Sequence, residues 1–61
     1  MKVMAREEYK NMSVTARLLD DSSTYEVLAT INGVIVGKIE TSDAAEAQET
    51  YCESVWAMLG R

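Results

Sequence analysis

The chain has 61 residues, of which 48% are hydrophobic and 26% charged, and its net charge is −4. A chain of this length forms one small domain that buries only about 60% of its unfolded surface. Histidine and proline are absent and cysteine occurs once, which excludes a Ser-His-Asp triad, a Cys-His pair, a zinc finger and a disulfide scaffold.

Residues 1–12 do not indicate one structure. The run Ala5–Lys10 favours a helix on propensity, but a segment of about one and a half turns is marginal alone. We expect either a mobile arm or a short docked helix. In the docked form, this segment covers the sheet described next.

Three segments predict β-strands, at residues 13–19, 24–31 and 34–40. The first alternates between two faces, and the second has Tyr25, Val27, Ala29 and Ile31 on one side. The third follows a predicted hairpin. Four small polar residues, 20–23, predict a turn between the first two strands, since their side chains bond nearby backbone. The sequence thus predicts a three-stranded antiparallel meander.

Asn32-Gly33 predicts a tight hairpin, because both residues tolerate positive φ. We expect a three-residue loop, residues 31–33, with Gly33 in a bulge. This register sets apolar residues opposite each other on one face and keeps charges off it. It pairs Ala29 with Ile35, Val27 with Gly37, Tyr25 with Ile39 and, on the reverse face, Glu26 with Lys38.

The last segment predicts a helix over residues 43–59. Asp43 with Glu46 three residues later indicates a start resembling a capping box, and Gly60 indicates a C-terminal stop. The fold class is therefore α+β, a meander packed against one C-terminal helix in a single domain spanning residues 1–61. At 100° steps, one arc is mostly apolar: Ala44, Ala45, Ala47, Gln48, Tyr51, Cys52, Val55, Trp56, Met58 and Leu59.

The excess negative charge lies in the last third of the sequence. Residues 1–38 hold five acids and five bases, whereas residues 39–61 hold five acids and one base. Direct nucleic-acid binding is disfavoured without a Lys and Arg cluster, and a protein partner with a basic surface fits better. The predicted partner-binding residues are Glu40, Asp43, Glu46, Glu49, Glu53 and Trp56, with packing at the edge of the core as the alternative for Trp56.

The sequence offers more apolar surface than one helix covers. Leu28, Val34 and Val36, together with Leu19, are expected on the uncovered sheet face, and the third strand is expected to be open to pairing with another chain. We predict a homodimer that uses Leu28, Val34 and Val36 as its interface. Cover by residues 1–12 is the alternative.

No enzyme and no cofactor or metal is predicted. Cys52 has no histidine to activate it and is expected to be a buried structural thiol. The row Glu46, Glu49 and Glu53 lacks ligands from other elements that would converge on a cation. The longest strongly apolar run, Val34–Val36, is far too short to cross a membrane, and a single Cys suits a reducing cytosol, so a cytoplasmic location is expected.

The expected function is that of a non-enzymatic interaction module whose acidic helix face binds a basic surface of another protein. Small acidic inhibitors from phages and mobile elements, which compete with nucleic acid, are an analogy of size and charge only. The alternative is a homodimeric regulatory or structural module that binds through its sheet face or N-terminal arm, either by itself or within a nucleic-acid complex.

Overall fold

The computed structural model describes residues 1–21 and 23–60. Ser22, which belongs to the predicted turn, and Arg61 lie outside the described residues. The chain forms a four-stranded antiparallel sheet in the order β1-β2-β3-β4, followed by one helix. The α+β class is confirmed, with one strand more than predicted. The elements are β1 (Lys2–Tyr9), β2 (Met12–Leu18), β3 (Tyr25–Ile31), β4 (Val34–Thr41) and α1 (Ala44–Met58).

The additional strand, β1, corrects the prediction of an arm or a short helix for residues 1–12. It pairs with β2 from Lys2↔Leu18 to Tyr9↔Met12, with a bulge at Met4. The hydrogen-bonding edge of β2 outweighs the weak local preference for helix, because a short helix has little stability without tertiary contacts. Residues 1–12 therefore extend the sheet and do not cover it.

The β3–β4 hairpin has a two-residue loop, so the predicted three-residue loop is wrong. Ile31 pairs directly with Val34, and Asn32 and Gly33 have φ values of 55° and 78°, the positive values that a type I′ turn requires. The extra residue is Val36, which forms a bulge in β4. Beyond this bulge, the opposing pairs are Ala29 with Gly37, Val27 with Ile39, Glu26 with Glu40 and Tyr25 with Thr41.

Substitution at the two hairpin glycines separates backbone strain from packing. Gly33→Ala is expected to lower the free energy of unfolding by about 1–2 kcal/mol, because its φ of 78° is unfavourable for residues with a Cβ. Gly37→Ala is the matched control, since a Cβ there meets only the Ala29 Cβ at 3.9 Å, an ordinary contact. Urea denaturation measures both changes. Equal losses of stability in the two variants would contradict the claim that backbone strain at Gly33 causes its larger effect.

The core lies between α1 and one face of the sheet. Helix α1 packs mainly across β2 and β3, and Val14, Val27, Ala47 and Met58 are buried there. The second predicted strand, now β3, was expected to turn its Val27 side towards the helix, and this orientation is confirmed. Since a single helix shields a narrow strip of sheet, this core is small.

The helix begins and ends close to the predicted positions. Asp43 Oδ1 accepts hydrogen bonds from the backbone amides of Ala45 and Glu46 at 2.9 and 3.3 Å, which confirms its capping role. The reciprocal bond of a capping box is made differently, because Thr41 Oγ1 accepts the Asp43 amide at 3.1 Å. Gly60 has a φ of 76° and ends the helix as predicted.

Candidate partner-binding surface

The outer side of α1 carries three exposed carboxylates, those of Glu46, Glu49 and Glu53. Their positions follow from helix geometry, because Ala47 and Met58 are buried against the sheet and place the opposite side of the helix in solvent. The exposure of these carboxylates agrees with the helical periodicity, which leaves all three outside the predicted apolar arc. We call the three glutamates together with Trp56 the acidic surface.

Trp56 lies on this outer side and is 61% exposed. It lines a shallow depression with Cys52, Glu53 and Ala57. The alternative interpretation, that Trp56 packs at the edge of the core, does not agree with this exposed fraction. An indole presented beside carboxylates is suited to protein contacts, because Trp is enriched at binding hot spots.

The buried stripe of α1 is narrower than the predicted apolar arc. Cys52 is exposed, so the expectation of a buried structural thiol is wrong. Leu59 is 40% exposed and also departs from the prediction. The physical reason is that a helix lying on an open sheet buries only the side chains that point at the strands, and Cys52 and Leu59 point along its flank towards solvent.

The reverse face of the sheet is mostly polar, with Leu28 and Ile35 among its apolar residues, which corrects the expectation of an uncovered apolar face. Glu26 is 3% exposed and forms ion pairs with Arg17 and with Lys38, the latter at 3.4 Å. The predicted Glu26–Lys38 attraction is therefore present, on a diagonal. Further contacts on this face join Arg6 to Thr15 at 3.2 Å, Arg6 to Glu8 at 2.6 Å and Ser13 to Thr30 at 2.6 Å.

Two of the predicted partner-binding residues lie away from the acidic surface. Glu40 pairs with Glu26 across the strands, so its side chain is on the reverse face, where it meets Lys38 at 3.4 Å. Hydrogen bonds to Glu40 and Glu26 raise the pKa of Lys38, which therefore stays charged. Asp43 is engaged as the helix cap. Of the six predicted residues, Glu46, Glu49, Glu53 and Trp56 share one surface.

One acidic residue that the sequence analysis did not select lies on the helix side of the sheet. Glu7 opposes Val14 in the β1–β2 register, so the two side chains share that face. Burial, followed by the nearby charge of Glu7, raises the pKa of Tyr51 on α1. Glu7 was missed because its place on this face depends on β1, which the sequence pattern did not reveal.

The three residues predicted for a homodimer interface do not share a face. Leu28 lies opposite Lys38 on the reverse face. Val34 opposes Ile31 and therefore lies on the helix side, where Val36 also lines a cleft beside α1. Both valines are exposed, by 63% and 59%. Their role in an interface stays a prediction, but the grouping on an uncovered face is wrong.

One edge of the sheet differs from the prediction, whereas the third predicted strand, now β4, is an edge strand as expected. The first predicted strand, now β2, is an inner strand because β1 covers it. The true edge strands β1 and β4 carry bulges at Met4 and Val36. A bulge in an edge strand disturbs the regular ladder and discourages pairing with another chain.

Open clefts flank α1 on two sides. The cleft on the β4 side has a volume of about 270 Å³ and is lined by apolar residues that include Ile31, Val36 and Met58. The cleft on the β1 side has a volume of about 260 Å³, with Met4, Tyr25 and Tyr51 among its lining. Both are open surfaces formed where the helix leaves parts of the sheet uncovered.

Within residues 1–21 and 23–60, no group of three Asp, Glu or Cys side chains is arranged to hold a metal ion. In that same described part of the chain, no helix has the length and apolar character needed to cross a membrane. Comparison of the chain with protein-family models, with curated proteins and with solved structures found no match.

Proposed function

We propose that this protein is a non-enzymatic interaction module that binds a basic surface of a partner protein through the acidic surface of α1. The observation that carries the proposal is the charge distribution. Among the described residues, no ion pair involves Glu46, Glu49 or Glu53, whereas Glu8, Glu26 and Glu40 each meet an Arg or Lys.

Three carboxylates that form no ion pair with the described residues are therefore grouped on the outer side of α1. Exposed charges of one sign create a field that attracts an oppositely charged partner and orients its approach. Trp56 adds an apolar anchor next to Glu53. Charge supplies speed and orientation of binding, and the indole supplies buried contact area.

A partner surface rich in Lys and Arg is also the kind of surface that binds nucleic acid. Occupying it with carboxylates would block nucleic-acid binding, so we propose an inhibitor of the nucleic-acid-competitor type, as in small phage or mobile-element proteins by analogy. The proposed location is the cytoplasm, where the thiol of Cys52 stays reduced.

The test combines affinity capture with charge reversal. The triple variant Glu46→Lys, Glu49→Lys, Glu53→Lys is expected to lose a partner that the wild-type protein retains from native lysate at low salt. Wild-type binding is expected to weaken steeply with added salt, because screening acts on exposed charges. The salt series is measured with the captured partner after purification.

The matched control reverses three carboxylates elsewhere: Glu8→Lys, Asp20→Lys, Glu40→Lys. This variant changes net charge by the same amount but leaves the acidic surface intact, and circular dichroism checks the fold of both. The control is expected to keep the partner. Retention by the first triple variant, or binding that salt does not affect, would contradict the proposed function.

A homodimeric regulatory or structural module is the second candidate. It is favoured by three consecutive exposed apolar residues on β4, Val34, Ile35 and Val36. The edge bulges and the polar reverse face weigh against it. Sedimentation velocity decides, since a monomer at high micromolar concentration would remove this candidate.

A further inference from the structure

The sheet is wider than the helix that covers it. Strands lie about 4.8 Å apart, so four strands span roughly 15–19 Å, while a helix with its side chains is about 10–12 Å wide. Because α1 packs mainly on β2 and β3, the first half of β4 is left bare on the helix side. Val34 and Val36 lie there, and this bare strip is about one strand wide, so a further helix laid on it would extend past the edge of the sheet.

The cleft between α1 and β4 provides an apolar floor and a smooth wall. Its floor includes Ala29, Ile31 and Val36, and its wall includes Ser54 and Ala57. A smaller space of about 110 Å³ continues it along α1 to Thr50 and Gly37, with Ala29 and Ser54 common to both. Thr50, Ser54 and Ala57 are four and three residues apart, so they form one row of small side chains that lets another helix approach closely.

The rim of this cleft on α1 is acidic. Glu46 lies four residues before Thr50 and Glu53 lies four before Ala57, so each glutamate neighbours a side chain of the wall. Both glutamates are exposed. Lys38 borders the far end of the cleft, but its side chain lies on the reverse face, where Glu26 and Glu40 engage it. An occupant that matches this cleft has an apolar stripe and a basic flank.

A second copy of this chain does not match. Its one helix in the described residues, α1, presents Glu46, Glu49 and Glu53 on its free side, and these carboxylates would face the carboxylates of the rim. Like charges brought together at an interface are repulsive. The occupant is therefore a different protein.

We propose that the cleft between α1 and β4 binds one amphipathic α-helix of the partner protein, laid beside α1 on the sheet. Its apolar side chains would cover Val34 and Val36, and its Lys or Arg side chains would meet Glu46 and Glu53. This inference rests on the proposed function and specifies the form of the partner, a basic amphipathic helix in a groove. The complex would have two helices on one face of the sheet.

The probe is a synthetic peptide of about 18 residues, long enough to form a helix, built from Leu and Lys with Leu at helical spacing. A second peptide has the same composition in an order without an apolar face. Calorimetry at low salt is expected to show binding of the amphipathic peptide about tenfold tighter than that of its scrambled twin, a difference of about 1.4 kcal/mol.

The variant that tests the floor is Val34→Ser with Val36→Ser. Both positions are exposed, so the fold is expected to survive while the preference for the amphipathic peptide disappears. Ile35→Ser is the matched control, because Ile35 is 57% exposed on the same strand but pairs with Thr30 and lies on the reverse face. It is expected to leave the preference unchanged.

Equal binding of the two peptides, an unchanged preference in the Val34 and Val36 variant, or no binding at all would overturn the cleft proposal. A change from dimer to monomer in that variant would also overturn it, because a second copy would then fill the cleft. The proposed function fails by a separate result, namely that the variant with Glu46, Glu49 and Glu53 changed to Lys still binds the partner captured from lysate.

Discussion

Removal of residues 1–9 is expected to unfold the protein. These residues contain β1, which pairs with β2 along nearly its whole length. Ser13 and Thr15 are each only 8% exposed, and Arg6 donates a hydrogen bond to Thr15 at 3.2 Å. A domain of this size has a total stability of about 3–9 kcal/mol, and losing a strand that covers an inner strand removes enough contacts to exceed it.

Far-UV circular dichroism during urea denaturation measures the effect, and the shortened chain is expected to show no cooperative transition. The control variant, Val3→Thr with Met4→Thr, keeps strand propensity and backbone pairing at two exposed positions. It is expected to unfold at nearly the wild-type urea concentration. A shortened chain with the wild-type midpoint would show that residues 1–9 are an appendage.

The strands that the sequence predicted are those with local signals. Residues 13–18 alternate in polarity, Tyr25, Val27 and Ala29 share one face of the second strand, and Asn32-Gly33 marks where the third begins. The observed bounds, 12–18, 25–31 and 34–41, lie within one residue of the predicted ones. The helix bounds agree equally well, because Asp43 and Gly60 act as local start and stop signals. Such signals need no knowledge of the rest of the fold.

Strand β1 has no such signal. Val3 and Met4 are adjacent apolar residues at a bulge, and Glu7 and Glu8 place charge on both faces of the strand. An edge strand tolerates this pattern, since both of its faces remain partly exposed. The conformation of β1 is set by its pairing with the edge of β2, so it cannot be inferred from residues 1–12 alone.

In the β3–β4 hairpin, the expectation of one apolar face is correct, but the predicted position of the extra residue is wrong. The sequence predicts an apolar face around Val27, and that face is present. The chain forms it with a two-residue turn and a bulge at Val36, which brings Ile39 opposite Val27 in place of Lys38. The hairpin therefore has both a tight two-residue turn and an apolar face, and it leaves one residue inside β4, Val36, unpaired.

The acidic surface was predictable in part. Helical periodicity placed Glu46, Glu49 and Glu53 outside, because that pattern depends only on the helix and on which side is apolar. The positions of Glu40 and Glu7 depend on strand pairing, and the exposure of Cys52 depends on how narrow a strip the sheet buries. These features belong to the assembled fold.

Met58→Ala is expected to cost about 2–5 kcal/mol of stability, the usual range for truncating a buried methionine. Met58 is 8% exposed and packs with Val14, Val27 and Ala47. Because the total stability is about 3–9 kcal/mol, this change removes a substantial part of it. Urea denaturation followed by circular dichroism measures it.

Trp56→Ala, two residues before Met58, is the control for Met58→Ala. It distinguishes a residue that contributes to partner binding from one that contributes to stability. It removes a larger side chain, yet Trp56 is 61% exposed, so the expected loss of stability is only about 0.5 kcal/mol. Its effect is expected on partner binding, at about 2 kcal/mol or more, the range of interface hot spots. A Trp56 variant as unstable as the Met58 variant would mean that the indole packs in the fold, and Trp56 would then no longer serve as a partner anchor. Intact stability with full partner binding would also exclude the anchor, leaving Glu46, Glu49 and Glu53 to carry the interaction by charge alone.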